Sequence, residues 1–194
     1  MNSFYSEDEL KELGLKRFGA NVFISKKCSI YGAGGISIGN NARVDDFCIL
    51  SGEIEIGSYV HIAAYCGLFA SDAGIVFKDF STCSSRCSIY AITDDFLGQG
   101  MTNPTVPDEY RKVYKKKVVV ERHAILGAGC VVLPGVSIGE GTAVGAMSFV
   151  NKSTEPWMLY VGTPARPRSE RSKNLLTLEE KMMGGLSAQI CVER

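Results

Sequence analysis

Aliphatic residues recur at every sixth position along most of the chain. In the C-terminal half the series is Val120, Leu126, Val132, Ile138, Val144 and Val150. In the N-terminal half the same spacing links Ile24 to Ile30, then Ile38, Val44, Leu50, Ile56, Ile62 and Leu68, and then Phe77, Cys83 and Ile89. A short fixed period of this kind predicts a solenoid in which each repeat supplies one short strand and one turn.

The departures from the six-residue spacing are themselves regular. The step is eight residues from Ile30 to Ile38, nine from Leu68 to Phe77 and thirty-one from Ile89 to Val120. If three hexapeptides make one triangular coil, all three insertions fall at the same corner of the triangle. The sequence therefore predicts an all-β solenoid, a parallel β-helix of about five to six triangular coils, with residues 91–117 as one long protruding loop.

Small residues precede most of the aliphatic positions by two, and many of them are cysteines. Five of the seven cysteines occupy this position, namely Cys28, Cys48, Cys66, Cys87 and Cys130, while Cys83 takes an aliphatic position. No C-x-x-C pair is present. The pattern predicts free thiols that pack inside the coil as small hydrophobic groups, and it leaves Cys191 as the cysteine for which exposure is expected.

Short helices are predicted at both ends of the coil. Ser6 and Glu9 have the spacing of a capping box, which opens a helix ending near Gly14. Apolar residues at helical spacing return from Leu175 onward, with an expected interruption at Gly184-Gly185. Residues 1–20 are thus interpreted as a helical lead-in, 21–153 as the β-helix and 154–194 as a turn and helix.

Composition narrows the range of functions. Among 194 residues, 21 basic side chains balance 21 acidic ones, so the chain has no general electrostatic attraction for nucleic acid. No apolar run approaches the length of a membrane span, and the N-terminal segment is too acidic for a signal peptide. These features predict a cytoplasmic protein without membrane insertion.

Two motifs give the chain a family resemblance over roughly residues 21–170. Glycine follows Leu126, Ile138 and Val144, and the turn Gly162-Thr163-Pro164-Ala165 comes after the last coil. In both respects the chain resembles the hexapeptide-repeat acyltransferases. The resemblance implies a left-handed coil, a homotrimer with sites between subunits, acetyl-CoA as cosubstrate and no metal.

The resemblance also suggests the acceptor. Asp45-Asp46, Val60-His61-Ile62, Thr93-Asp94-Asp95 and residues 103–107 are similar to dTDP-4-amino-4,6-dideoxyglucose acetyltransferases and to galactoside O-acetyltransferases. It implies acetyl transfer to a hydroxyl or amine of a sugar or nucleotide-linked sugar, such as one used for lipopolysaccharide or another surface polysaccharide. The choice between O- and N-acetylation stays open.

Acetyl transfer needs a base for the attacking group, and the chain has two histidines. His61 precedes the inward Ile62, so strand alternation turns its ring outward, whereas His123 lies at a corner turn after the long loop. The resemblance places the former position near the acetyl group, but Gly52 stands where related N-acetyltransferases have a catalytic histidine. The base is therefore His61, His123, or a loop carboxylate helped by one of them.

Further candidate site residues fall into two groups. Arg43, Asp45 and Asp46 near His61, and Asp94 and Asp95 in the loop, are candidates for binding the acceptor, although aspartate also serves turns by local backbone bonds. The resemblance implies that the coenzyme A groove is lined by Ala128, Ala146, Ser148, Lys152, Pro164 and Arg166.

Other functions of this architecture are less consistent with the residues. The γ-type carbonic anhydrases need three histidines on zinc, and two are present. An ice-binding surface would show a repeated outward threonine ladder, and Arg43, His61, Thr82, Ile125 and Ala143 form none. A non-enzymatic scaffold, or transfer to a small acceptor such as serine or a xenobiotic, remains the alternative.

Overall fold

A computed structural model describes residues 3–192, with side chains described up to residue 185. The strands, in chain order, are β1 (Arg17–Phe18), β2 (Phe23–Ile24), β3 (Ser29–Tyr31), β4 (Ile36–Ile38), β5 (Arg43–Val44), β6 (Ile49–Ile56), β7 (His61–Ile62), β8 (Gly67–Phe77), β9 (Thr82–Cys83), β10 (Ser88–Tyr90), β11 (Ile92–Asp94), β12 (Val113–Lys115), β13 (Val118–Val120), β14 (Ile125–Leu126), β15 (Val131–Val132), β16 (Ser137–Ile138), β17 (Ala143–Val144), β18 (Phe149–Val150), β19 (Met158–Val161) and β20 (Arg166–Glu170). The helices are α1 (Glu7–Glu12) and α2 (Asn174–Val192), with 3-10 turns at Ala33–Gly35 and Asp108–Tyr110.

Three columns of parallel strands form the sides of a triangular coil. Side A consists of β2, β5, β7, β9, β14, β17 and β19. Side B consists of β3, the first halves of β6 and β8, β10, β15 and β18. Side C consists of β1, β4, the second halves of β6 and β8, β13 and β16. Side A shows about seven turns, where the sequence predicted five to six. The additional turn includes β19, which the six-residue pattern missed because its sequence breaks the period.

The predicted three-hexapeptide frame is confirmed. Each inward aliphatic residue lies over the equivalent residue one turn away, as Val44 does over Ile62 and Leu50 over Leu68. Apart from the half-buried Ile30, these side chains are almost completely buried. The insertions leave the coil at the junction of sides B and C.

The cysteines occupy the interior, as predicted. The six cysteines whose side chains are described are free and buried. The thiols of Cys48, Cys66 and Cys87 each donate to a backbone carbonyl of the following turn at 3.1–3.2 Å. Burial raises the pKa of the Cys28 thiol to about 12, which keeps it neutral. The side chain of Cys191 lies outside the described residues.

A helix lies on each side of the coil in the chain, α1 before it and α2 after it. The capping box of α1 is present, with Ser6 Oγ accepting from the Glu9 amide and Glu9 Oε2 accepting from the Ser6 amide. Helix α2 runs through Gly184 and Gly185 without the predicted interruption. Within residues 3–192 neither helix is long and apolar enough to span a bilayer.

The long loop begins and ends as a hairpin. Strands β11 and β12 pair antiparallel, with Thr93 opposite Tyr114. No pattern of residues predicted this hairpin, because its two arms are separated by residues 95–112, which lack alternating apolar positions. The hairpin holds both ends of the loop against the junction of sides B and C.

Candidate active site

The candidate residues are distributed over three corners of the coil. Corner 1 joins sides A and B and includes residues 45–48, 63–66, 84–87, 127–130 and 145–148. Corner 2 joins sides B and C and carries the loop at 91–117. Corner 3 joins sides C and A and includes residues 39–42, 57–60, 78–81, 121–124 and 139–142. The two histidines have different places in the coil. His61 lies on strand β7 of side A, whereas His123 lies at corner 3 beside that side.

His61 projects outward from side A and forms a pair with a carboxylate. It lies between Arg43 and Thr82 in neighbouring turns, as predicted. Its Nε2 lies 2.8 Å from Asp45 Oδ2, and Arg43 Nε donates to Asp45 Oδ1 at 2.6 Å. The side chain of His61 is 43% exposed, whereas that of Asp45 is 18% exposed. An accessible imidazole is therefore oriented by a sheltered carboxylate.

The charge state of Asp45 supports this orienting role. Partial burial opposes ionisation of the carboxyl, but hydrogen bonds from His61 and Arg43 outweigh it and lower the pKa of Asp45. Because the ionised Asp45 accepts the Nε2–H of the ring, Nδ1 is left as the basic nitrogen. A histidine held in this way is suited to accept a proton.

Asp46, by contrast, is occupied by structural contacts. Its carboxylate accepts from Ser25 Oγ at 2.5 Å and from Lys27 Nζ at 2.8 Å. The ion pair with Lys27 and the bond from Ser25 lower the pKa of Asp46. These contacts hold two adjacent turns of corner 1 together, which is a structural role that aspartate often has at turns.

His123 lies in a stack of rings at corner 3 and is buried. Its ring stacks on that of Phe80 at a centroid distance of 5.3 Å, and Phe80 stacks on Tyr59 at 4.7 Å. Nε2 lies 2.6 Å from Glu179 Oε2 of α2, and the side chain is 7% exposed. His123 thus lies at a corner turn, as predicted, but its ring is shielded from solvent because α2 covers it.

The two loop aspartates have different surroundings. Asp95 is almost completely buried and accepts from the backbone amides of Leu97, Gln99 and Gly100, which lower its pKa. Asp94 accepts from the Asn103 amide at 3.2 Å and from Arg111 Nη2 at 3.4 Å. Asp95 therefore folds the loop, whereas the Asp94 carboxylate is held only by long bonds.

An apolar cleft of about 410 Å³ lies beside Asp94 at corner 2. Phe69 and Tyr90 stack at 5.0 Å along one wall, and Phe96, Pro104 and Arg111 contribute to the rest of the lining. Small-molecule sites are commonly apolar clefts of this size with a few polar groups. Sequence reasoning missed these residues, although Phe69 and Tyr90 follow inward aliphatic residues and so signal outward rings.

The residues predicted to line the coenzyme A groove lie mostly at corner 1. Ala128 and Ala146 are exposed in adjacent turns, bridged by the bond from the Met147 amide to Ala128 O. Lys152, Pro164 and Arg166 are also exposed. The side chain of Ser148 is buried and accepts from the Gly162 amide.

Gly52 has a conformation that excludes a histidine. Its φ is +92°, and a Cβ placed there would lie 2.4 Å from the Ser71 carbonyl oxygen. A side chain at this position would require both the backbone of β6 and that of β8 to move. The departure from the related N-acetyltransferases is therefore built into the backbone of this chain.

Comparison with known proteins shows the family to which the chain belongs. Residues 35–70 and 117–152 match the bacterial transferase hexapeptide family, described by six repeats. The chain is 45% identical over 180 residues to dTDP-4-amino-4,6-dideoxy-D-glucose acyltransferase of Escherichia coli, covering 91% of this chain and 93% of that protein. The chain therefore belongs to the hexapeptide-repeat transferase family, and it is an acyltransferase with the left-handed β-helix of that family.

Two further proteins to which the chain is similar are also acyltransferases. AntD, an N-acyltransferase from Bacillus cereus, has been solved with dTDP and 3-hydroxybutyryl-CoA; it is 50% identical, has a TM-score of 0.94, and the match covers 96% of this chain and 100% of AntD. Structures of AntD also exist with S84A or D94A and bound coenzyme A. The galactoside O-acetyltransferase of Lactococcus lactis is 43% identical over 65 residues, about a third of each chain. The acyl-CoA donor expected from the resemblance is confirmed for this family.

Proposed function

We propose that this protein transfers an acyl group from an acyl-CoA to the amine of dTDP-4-amino-4,6-dideoxyglucose. The observation that carries the proposal is the loosely held Asp94 carboxylate at the edge of an aromatic cleft. A carboxylate attracts an ammonium or amine, while stacked rings offer a surface to a sugar or a base. AntD, at 50% identity, was solved with this amino sugar and coenzyme A.

Two residues of this chain support the same acceptor. Ser84 and Asp94 bear the residue type and number of the two positions substituted in AntD, and the match covers nearly all of both chains. Ser84 precedes β10 at corner 1, whereas Asp94 follows β10 at corner 2. The two side chains are therefore at opposite ends of one side of the coil.

This separation supports a homotrimer with shared sites. In the proposed assembly, corner 1 of one protomer, with Asp45 and Ser84 and with His61 on the adjoining strand β7, meets the loop of its neighbour, with Asp94. One protomer would then supply the base and the coenzyme A groove, and the next would supply the amino-sugar cleft. Each site is complete only in the assembly.

The reaction follows from these placements. Asp94 binds the acceptor, whose neutral amine attacks the thioester carbonyl carbon and, as the C–N bond forms, gives a proton to Nδ1 of His61. Collapse of the tetrahedral intermediate breaks the C–S bond, and the coenzyme A sulfur takes up that proton from the His61 imidazolium and leaves as a thiol. The products are an amide and free coenzyme A, so atoms and charges balance. Asp45 stabilises the imidazolium that forms during transfer.

The test is an acyl-CoA assay against a panel of acceptors. The panel contains dTDP-4-amino-4,6-dideoxyglucose, its 4-hydroxy counterpart, a simple galactoside and serine, with acetyl-CoA and 3-hydroxybutyryl-CoA as donors. Release of free thiol together with an amide product by mass spectrometry is expected for the amino sugar. Faster transfer to a hydroxyl acceptor would refute N-acylation while preserving the enzyme class.

The shared site has a separate test. His61→Ala and Asp94→Asn chains are each expected to form inactive trimers. When the two are unfolded together and reassembled, mixed trimers contain sites with an intact His61 from one chain and an intact Asp94 from the other. Regained activity supports the shared site. Absence of regained activity in trimers shown to be mixed by mass spectrometry would refute it.

A further inference from the structure

Arg111 occupies an unusual position beside the amino-sugar cleft. Its side chain is 15% exposed, and it stands between the cleft at Asp94 and a second cleft lined by Ile92 and Lys115. Nη1 pairs with Asp108 at 3.1 Å, and Nη2 donates to Asp94 Oδ1 at 3.4 Å. Among the described side chains, Arg111 Nε is the buried polar atom without a hydrogen-bond partner.

The two incompletely used donors lie on the same edge of the guanidinium. Nε and Nη2 form the side-on fork that arginine uses to bind both oxygens of a carboxylate. Here Nη2 is engaged at a long distance and Nε is not engaged. A buried donor on a charged group is costly to leave unpaired, so this edge is poised to close on the Asp94 carboxylate.

We propose that Arg111 is a positioning residue for the acceptor. Its Nε and Nη2 close a bidentate fork on Asp94 when the amino sugar occupies the cleft, and the fork orients the carboxylate toward the amine. This inference rests on the proposed function. A carboxylate has about four acceptor positions. The fork uses two and the Asn103 amide uses one, which leaves one for the substrate amine.

Other contacts account for the folding of the loop. Asp95 binds three backbone amides, and β11 pairs with β12, without any part of the Arg111 guanidinium. The remaining partner of Arg111 is Asp108, whose side chain is 97% exposed and contributes little through a solvent-screened pair. The partner through which Arg111 acts on the site is therefore Asp94.

The test is a double-mutant cycle on binding. The dissociation constant of dTDP-4-amino-4,6-dideoxyglucose is measured by calorimetry, with coenzyme A present, for wild type, Arg111→Ala, Asp94→Asn and the double variant. Each single change is expected to weaken binding about tenfold, and the double change is expected to weaken it by about the same factor, because the residues act as one unit. A weakening near one hundredfold in the double variant would overturn the inference.

Two further measurements separate positioning from a general effect on the loop. Arg111→Lys, which keeps the charge but lacks the fork, is expected to fall between wild type and Arg111→Ala, and guanidinium added to Arg111→Ala is expected to restore part of the turnover. Asp108→Asn is the matched control and should bind like wild type. Equal losses in Asp108→Asn and Arg111→Ala would show that the loop, and not Asp94, is affected.

The acylation assay on wild type distinguishes failure of the proposed function from failure of the inference about Arg111. Wild type that releases thiol with another acceptor but does not bind or acylate the amino sugar would refute the proposed acceptor. In that event the inference about Arg111 falls with it. Wild type that acylates the amino sugar, combined with additive losses in the cycle, would refute the inference alone.

Discussion

The two histidines of this chain border the same side of the coil but have contrasting surroundings. His61 stands at an outward strand position, with an exposed ring held by Asp45 at 2.8 Å. His123 stands at a left-handed turn position, with φ of +58° and a buried ring. The difference teaches that the place of a residue within the repeat, more than its chemical type, decides whether it is available for chemistry.

The backbone conformation and ring stacking seen at His123 recur along corner 3. The equivalent residue of each turn adopts positive φ, a conformation that is costly for most side chains. Tyr59, Phe80 and His123 stack ring on ring, and Trp157 reaches the ring of His123 across Gly141, where a Cβ would meet the indole at 2.4 Å. Stacking along the corner offsets the conformational cost at each turn.

The largest expected effect on kcat distinguishes His61 from His123. His61→Ala is expected to lower kcat by about 10² or more through loss of the base, with little change in Tm. His123→Asn, which removes the other imidazole but tolerates positive φ, is expected to keep kcat within a few-fold and to lower Tm. Steady-state kinetics and thermal unfolding of both variants provide the measurement. Equal losses of kcat with equal Tm would eliminate the contrast.

The ring stack should be sensitive at its centre. Phe80→Ala removes the ring between Tyr59 and His123 and also the face that Arg122 covers at 4.7 Å. The expected loss is about 2 to 3 kcal/mol of unfolding free energy, below the range for fully buried phenylalanine because Phe80 is half-buried. Chemical denaturation measures it. A loss as small as that of an exposed control, Phe96→Ala, would show that the stack contributes nothing.

Asp45 should matter less than the histidine it orients. Asp45→Asn keeps a hydrogen-bond acceptor near Nε2 but removes the charge that stabilises the imidazolium, so a roughly tenfold loss of kcat is expected. In a His61→Ala background the same change should have almost no further effect. Kinetics of the three variants make the comparison. An additional tenfold loss in the double variant would mean that Asp45 acts independently of His61.

The smallest effect is a pH dependence of stability at corner 3. Burial and the neighbouring Arg122 and Arg171 lower the pKa of His123, whereas Glu140 raises it and the Glu179 carboxylate also favours the charged ring. Because the pKa of His123 is lower in the folded state, the unfolded state binds a proton at higher pH, and stability decreases as the pH falls below about 6.5. The Tm difference between wild type and His123→Asn should narrow from pH 7.5 to 5.5. A widening difference would show that the ion pair with Glu179 dominates.

Much of the fold and part of the site could be predicted because a six-residue period leaves few alternatives. The frame placed His61 outward between Arg43 and Thr82, and it placed the cysteines inside. It did not reveal the β11–β12 hairpin or the pairing of Arg111 with Asp94, which depend on how a long insertion folds back. It also gave no sign that α2 would cover His123, because contacts between distant segments leave no local period.

The sequence by itself determined the coil, its corners and the direction of each outward side chain, since strand alternation and a strict repeat are local properties. The tertiary structure alone decided which polar groups meet. Asp45 lies beside His61 because their turns stack in register, and the cleft at Asp94 exists because the loop returns over Phe69 and Tyr90. Those contacts arise from packing between residues far apart in the chain, and no short-range pattern specifies them.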